Sequence, residues 1–131
     1  MIDVILTLLA AAQAAAPVAA PTTIEGQWHN LTNSVEVRIG PCGKALCGWA
    51  TRASPEAEAA AKNGGTSELV GTMLLRDMTP AGKNRWTGTL FVPDRDITVW
   101  ASVALADPGT ITMRGCLVPN FICKSQTWKR R

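Results

Sequence analysis

The sequence predicts an all-β fold, a small antiparallel up-and-down barrel of about eight strands with one short rim helix. Three observations carry this. From Gly26 onward, short segments alternate apolar and polar residues with period two, the pattern of strands that bury one face. Turn residues separate those segments at near-regular spacing, which is the signature of a closed antiparallel barrel or a sandwich, and the sequential hairpin turns favour a meander. The first and last strands of such a meander are expected to pair, because an edge left open invites aggregation.

The central hairpin is the clearest element. Val35, Val37 and Ile39 alternate with Glu36 and Arg38, and Gly40-Pro41 and Gly43 supply turn chemistry before a second strand reaching Trp49. Gly26-Gln27-Trp28 opens a first strand that reaches Asn30, after a Pro/Ala/Thr-rich linker over 17–23. A short helix is expected over 54–65: Ser54 is an N-cap, Pro55 sits at the first helical position, Glu56 and Glu58 fall in the first turn and Lys62 in the last, with glycine beyond. It carries almost no large apolar residue, which places it on the rim.

Strands then follow over 69–76, 85–92, 97–105, 110–116 and 125–130, with turns at 80–84, 93–96 and 107–109. Trp86, Gly88, Leu90 and Val92 share one face, and Ile97, Val99, Ala101, Val103 and Leu105 share another.

Residues 1–20 read as a secretory signal peptide. The apolar run over 4–12 is too short to span a bilayer as a helix, and small residues follow, with cleavage expected between Ala14 and Ala20. The segment before the run, Met1-Ile2-Asp3, lacks the usual basic residues. Residues 21–131 are then one barrel domain, periplasmic or secreted, with no stable membrane insertion after signal cleavage.

The chain holds four cysteines, in the local pairs Cys42/Cys47 and Cys116/Cys123. In an oxidising compartment such pairs form disulfides, and the local connectivity needs the least rearrangement of the chain. A four-cysteine zinc site is the rival reading, but structural zinc prefers spacers of about two to four residues within each pair, so no metal is expected. The net charge is +3, and the only basic cluster is Lys129-Arg130-Arg131. No aromatic-interleaved basic stripe accompanies it, so nucleic acid is not an expected partner.

The residues Gly-x-Trp at 26–28, Val-x-Ile-x-x-Cys-Gly-x-x-Leu-Cys-Gly at 37–48 and Trp-x-Gly at 86–88, followed by Arg-Gly-Cys at 114–116, Cys123 and Gln-Thr-Trp-x-Arg at 126–130, together resemble the bacterial secreted domain-of-unknown-function family 2147. The resemblance covers roughly residues 26 to 131 and implies a lipocalin/calycin-like barrel without an established biochemical role. It also implies that Trp28 plugs the closed end, with Arg130 packed over it. The chain departs from the family over 51–68, where the Ala/Glu helix replaces a polar loop, and at Trp100, where the family's aromatic is of the tyrosine kind.

Catalytic groups are sparse. His29 is the single histidine, and it flanks the plug tryptophan on the opposite strand face, where a solvated or rim role is expected. The carboxylate pairs Glu56/Glu58 and Asp94/Asp96 sit in a helix start and a turn. No nucleophile elbow or phosphate loop is present. The chain is therefore read as non-catalytic, with no cofactor. Five tryptophans in a chain without tyrosine could line a small cavity or fill it, and a chain of this size favours a filled core. The candidate ligand-lining residues are Trp86, Trp100, Met113 and Arg114. Arg114 either meets an acidic head group at the mouth or lies on the outside, the latter being favoured. The functional reading is a periplasmic or secreted barrel for a small apolar or amphipathic ligand. The alternative is an envelope structural or protein-interaction module with a filled barrel. The sequence leaves the oligomeric state open.

Overall fold

The computed structural model describes residues 23–131; the expected signal segment lies outside the described residues. Eight antiparallel strands close into a barrel in the order β1 to β8: β1 (Gly26–Asn30), β2 (Val35–Cys42), β3 (Ala45–Ala53), β4 (Met73–Pro80), β5 (Arg85–Val92), β6 (Ile97–Asp107), β7 (Thr110–Val118) and β8 (Phe121–Arg130). One helix, α1 (Pro55–Asn63), interrupts the meander between β3 and β4. Closure is made where the alternation required it. Trp28 pairs with Arg130, His29 with Lys129 and Asn30 with Trp128.

Three boundaries differ from those the sequence pattern suggests, each for a local reason. The β2–β3 turn is the two residues Gly43-Lys44, with Gly43 at φ 68°, and the strand runs straight through Gly40-Pro41. Pro41 is tolerated there because β1 pairs with β2 only up to Ile39, so the missing N–H faces a sheet edge. Strand β4 starts at Met73 and runs to Pro80, not over 69–76. Gly71, at φ 90°, bends the preceding segment so that its N–H donates to the Ala50 carbonyl, which leaves Leu69 buried in the core. The β7–β8 hairpin is longer than the alternation implies, turning tightly at Pro119-Asn120, where Asn120 has φ 62°. Proline followed by a residue at positive φ is the type II turn signature.

The packed core fills one half of the barrel. Trp28, Ile39, Met78, Val103 and Ile111 are fully buried there, with Trp86 and Leu105 against them. This is the end that holds the β2–β3, β4–β5 and β6–β7 turns together with the start of β1 and the end of β8. The opposite end holds the β1–β2, β5–β6 and β7–β8 turns and the long β3–β4 connection that carries α1. Both cysteine pairs form disulfides, Cys42–Cys47 on the β2–β3 hairpin and Cys116–Cys123 across directly paired positions of β7 and β8. They are bonds of a chain that folds under oxidising conditions. Among the described residues, no helix is long and apolar enough to cross a membrane.

Candidate functional site

The closed end is built around one ring. The Trp28 indole is fully buried, and its Nε1 donates to the Ile24 carbonyl at 2.8 Å. The Arg130 guanidinium lies over the ring, 4.3 Å from its centroid, within the range where a cation is attracted to the ring face. The guanidinium is held there by three backbone carbonyls: Nε donates to Pro108 at 2.8 Å, Nη1 to Glu25 at 2.7 Å and Nη2 to Thr23 at 2.8 Å. Each of those acceptors belongs to a segment that must be drawn over the barrel end, so Arg130 ties the N-terminal entry and the β6–β7 turn together. Gly26 is required by this arrangement. It sits at φ 138°, and a Cβ there would come within 2.6 Å of Arg130 Nη1.

The open half holds a cavity of about 630 Å3 that opens widely to solvent, within the several-hundred-Å3 range of small-molecule sites. The expected filled interior does not hold. The space exists because small residues stand where large ones would close it. Gly115 lines the wall, and a Cβ there would meet Leu90 Cδ2 and Val99 Cγ2, each at 3.3 Å. The roof is α1, whose Ala57, Ala60 and Ala61 face the cavity. The helix that reads from sequence as a rim decoration is thus also a wall of the site.

That roof is anchored at both ends. Ser54 Oγ accepts from the Ala57 N–H at 3.1 Å, and the Ser54 N–H donates to the Ser34 carbonyl at 2.7 Å, fixing the entry to the β1–β2 turn. At the exit, Gly64 packs on the β5–β6 turn so closely that a Cβ would overlap the Asp94 carbonyl group. Thr66 Oγ1 donates to the Pro93 carbonyl at 2.8 Å. Glu58, one of the acids at the helix start, accepts from the N–H groups of Leu69 and Val70 at 3.1 and 3.3 Å. Its carboxylate orders a loop.

Of the candidate lining residues, Met113 borders the cavity. Trp86 belongs to the core at the closed end and is not on the lining. Trp100 and Arg114 lie on the outer face. The register decides this: Val103 pairs with Met113, so the neighbours of that inward pair in strand alternation, Ser102 with Arg114 and Trp100 with Cys116, point away. The tryptophan that does line the cavity is Trp128, whose Nε1 donates to Gln126 Oε1 at 3.2 Å. Trp128 shows inward alternation with Gln126 in the last strand, a signal that was readable in the sequence. The alanine roof and the β7–β8 residues Leu117 and Ile122 carry no such signal.

The lining is apolar apart from a polar group at the mouth. Gln126, Lys124, Asp94 and Arg95 border it, and the Gln126 amide nitrogen remains available after its oxygen accepts from Trp128. Asn30 also borders the space, but its side chain is committed to the β1–β2 turn, accepting from the N–H groups of Ser34 and Val35 and donating to Ser34 Oγ. The one ion pair among the described residues joins Arg131 to Glu36 on the outer wall, so Lys124 and Arg95 at the mouth have no carboxylate bound to them. His29 sits on the outer face between Glu36 and Lys129, its Nδ1 3.0 Å from the Asn30 carbonyl. No cluster of potential metal ligands occurs among the described residues.

An eight-stranded antiparallel barrel with one packed end, one open end and an apolar cavity between them is a lipocalin-like barrel. The structural comparison agrees: the fold matches protein HP1028 from the human pathogen Helicobacter pylori, described as belonging to the lipocalin family, with a TM-score of 0.65 over 85% of this chain and 84% of that one, at 15% identity. The chain itself belongs to the family of uncharacterized proteins conserved in bacteria, domain of unknown function 2147, whose model matches residues 26–130. No curated protein matches it.

Proposed function

We propose that this protein is a non-catalytic carrier of the bacterial periplasm, or a secreted one, that holds a small amphipathic molecule with its apolar part in the cavity. The observation that carries the reading is the cavity of about 630 Å3. An interaction module with a filled barrel needs no such space, and that space is created by Gly115 and the alanines of α1. The fold supports the same reading, and the two disulfides support export. Lys124 and Arg95, unpaired at the mouth, favour a ligand whose polar end is acidic. Its tail would run inward past Leu90 and Val99 toward Met113.

The test is a titration of the disulfide-intact chain with a fluorescent fatty acid, alongside native mass spectrometry of protein taken from its own periplasm. Saturable binding of one probe per barrel is expected. Met113→Trp, which adds a ring inside the cavity, is expected to weaken it by about tenfold or more, since each lost 1.4 kcal/mol of contact is tenfold in affinity. A barrel that binds neither the acid nor its uncharged alcohol analogue, and carries no copurifying molecule, refutes the carrier reading.

A further inference from the structure

The exposed large apolar side chains are not scattered over the barrel. Among the described residues they are Leu31, Val70, Ile97, Leu117, Val118, Phe121 and Ile122, and every one stands at the open end. Leu31 is in the β1–β2 turn, Val70 in the connection after α1, and Ile97 just past the β5–β6 turn. The other four form the tip of the β7–β8 hairpin. The closed end has turns of similar length, at 43–44, 81–84 and 108–109, and none presents a large exposed apolar residue. Single exposed apolar residues are ordinary on any protein, but a contiguous set on one face marks a contact surface.

Two further features say what kind of contact. First, Ile97, Leu117 and Ile122 are exposed and also border the cavity, so the apolar surface passes from the hairpin tip over the lip and into the interior. Second, the hairpin projects alone. Strand β1 covers β8 only over 128–130, which leaves the β8 edge free over 121–127. The disulfide Cys116–Cys123 clamps its base. The charges within this hairpin, Arg114, Lys124, Lys129 and Arg130, are all positive, and Lys124 is the one nearest the tip. The adjoining β5–β6 turn carries Asp94, Arg95 and Asp96, so the hairpin is the element suited to approach an anionic surface first.

We propose that the open end docks peripherally on a lipid bilayer, the β7–β8 tip entering the interface between head groups and acyl chains with Lys124 at phosphate level. This rests on the carrier reading and names its source: the bilayer delivers or accepts the cavity's amphiphile across the continuous apolar lip. A second copy of this chain is the weaker occupant for the same tip. Pairing of β8 with its counterpart would run along an edge carrying Lys124, a residue type that opposes edge-to-edge pairing.

The experiment compares the disulfide-intact wild-type chain with Val118→Ser/Phe121→Ser. Both residues are more than half exposed, at 53% and 63%, and neither borders the cavity. Vesicles of phosphatidylethanolamine and phosphatidylglycerol are floated with each protein. The wild type is expected to float, and the double variant to lose association by about tenfold or more, the apolar burial of two side chains being removed. Melting temperature and affinity for the soluble fluorescent fatty acid should be unchanged. In a second variant, Phe121→Trp, the new indole should blue-shift with vesicles and be quenched by brominated acyl chains. Wild-type protein that stays with the aqueous fraction, equal flotation of the double variant, or an introduced indole that brominated chains leave unquenched overturns the proposal. So does a wild-type dimer that the double substitution converts to monomer without changing flotation. Flotation with no binding of the soluble probe would remove the carrier reading while leaving the docking surface in place.

Discussion

The two ends of this barrel solve opposite problems with the same strands. At the closed end, every element converges on a buried ring: Trp28 fills the space, and Arg130 fastens two backbone segments above it through three carbonyls. At the open end the wall is kept apart, by alanines in α1 and by Gly115, and the roof is fastened at its edges and not through its centre. Stability and binding are thereby separated along the barrel axis. Substitutions at the closed end should act on folding of the whole domain, whereas substitutions at the open end should act on the cavity while leaving the fold intact.

The largest effect is expected from Trp28→Ala. Removing a fully buried indole leaves a void that the Arg130 clamp prevents from collapsing, and losses of roughly 3–5 kcal/mol are usual for such changes. Against a total stability of roughly 5–15 kcal/mol for a small domain, that is a severe loss, measurable as a fall in the denaturant midpoint with an unchanged slope. A variant that lost fatty-acid binding while keeping its midpoint would break the division between the ends.

That division also explains what could be read from sequence. The closed end is legible because the family resemblance implies its plug, Trp28 with Arg130 over it, and because the central hairpin shows clear alternation. The closure of β1 on β8 follows from strand parity and the cost of an open edge. The cavity is different, because it depends on where small residues from distant strands coincide. Nothing local distinguishes Gly115 as a wall residue, and the Ala57/Ala60/Ala61 face of α1 has too little apolar bulk to announce a buried side. Trp100 looks suited to a ligand by type, but parity sets it outside, together with Arg114, for which the outside is the favoured reading. The hairpin tip was missed as strand because Leu117, Val118, Phe121 and Ile122 are apolar on both faces, which breaks the alternation that marks a half-buried strand.

A second, intermediate effect sharpens the comparison. Gly64→Ala would place a Cβ against the backbone of Asp94, so the exit of α1 must lift from the β5–β6 turn. Overpacking of this kind costs about 1–3 kcal/mol, and here the displaced element is the roof, so probe affinity should fall as well. Gly40→Ala in the central hairpin is the control, since nothing lies within 4 Å of its Cβ position. It should be neutral in both measurements. If the two alanine variants behaved alike, the roof would not be held by the Gly64 contact.

The smallest effect concerns the carboxylates that fasten the outer wall. The Glu36 carboxyl is held below its ordinary pKa chiefly by its hydrogen bond from Arg131, and Asp107 chiefly by the Gly109 N–H, which donates to its Oδ1 at 2.9 Å. Because both native values are lowered, each ionised carboxylate favours the folded state. That contribution is complete above the ordinary carboxylate range, and it is lost as the pH falls through the lowered native values. Stability should therefore decline on acidification in that range and stay level from there to neutrality. Asp107 is exposed and Glu36 lies half-buried at the barrel surface beside the exposed Arg131, so the slope should be shallow and should shrink in high salt. Glu36→Gln should flatten part of it, and Asp107→Asn should flatten another part while keeping an acceptor for the turn. Both changes lie on the outside, so neither should alter probe affinity at neutral pH. Denaturant midpoints measured at closely spaced pH values decide the matter. An acid slope identical in the wild type and in both variants would mean that other carboxylates carry the acid sensitivity of the barrel.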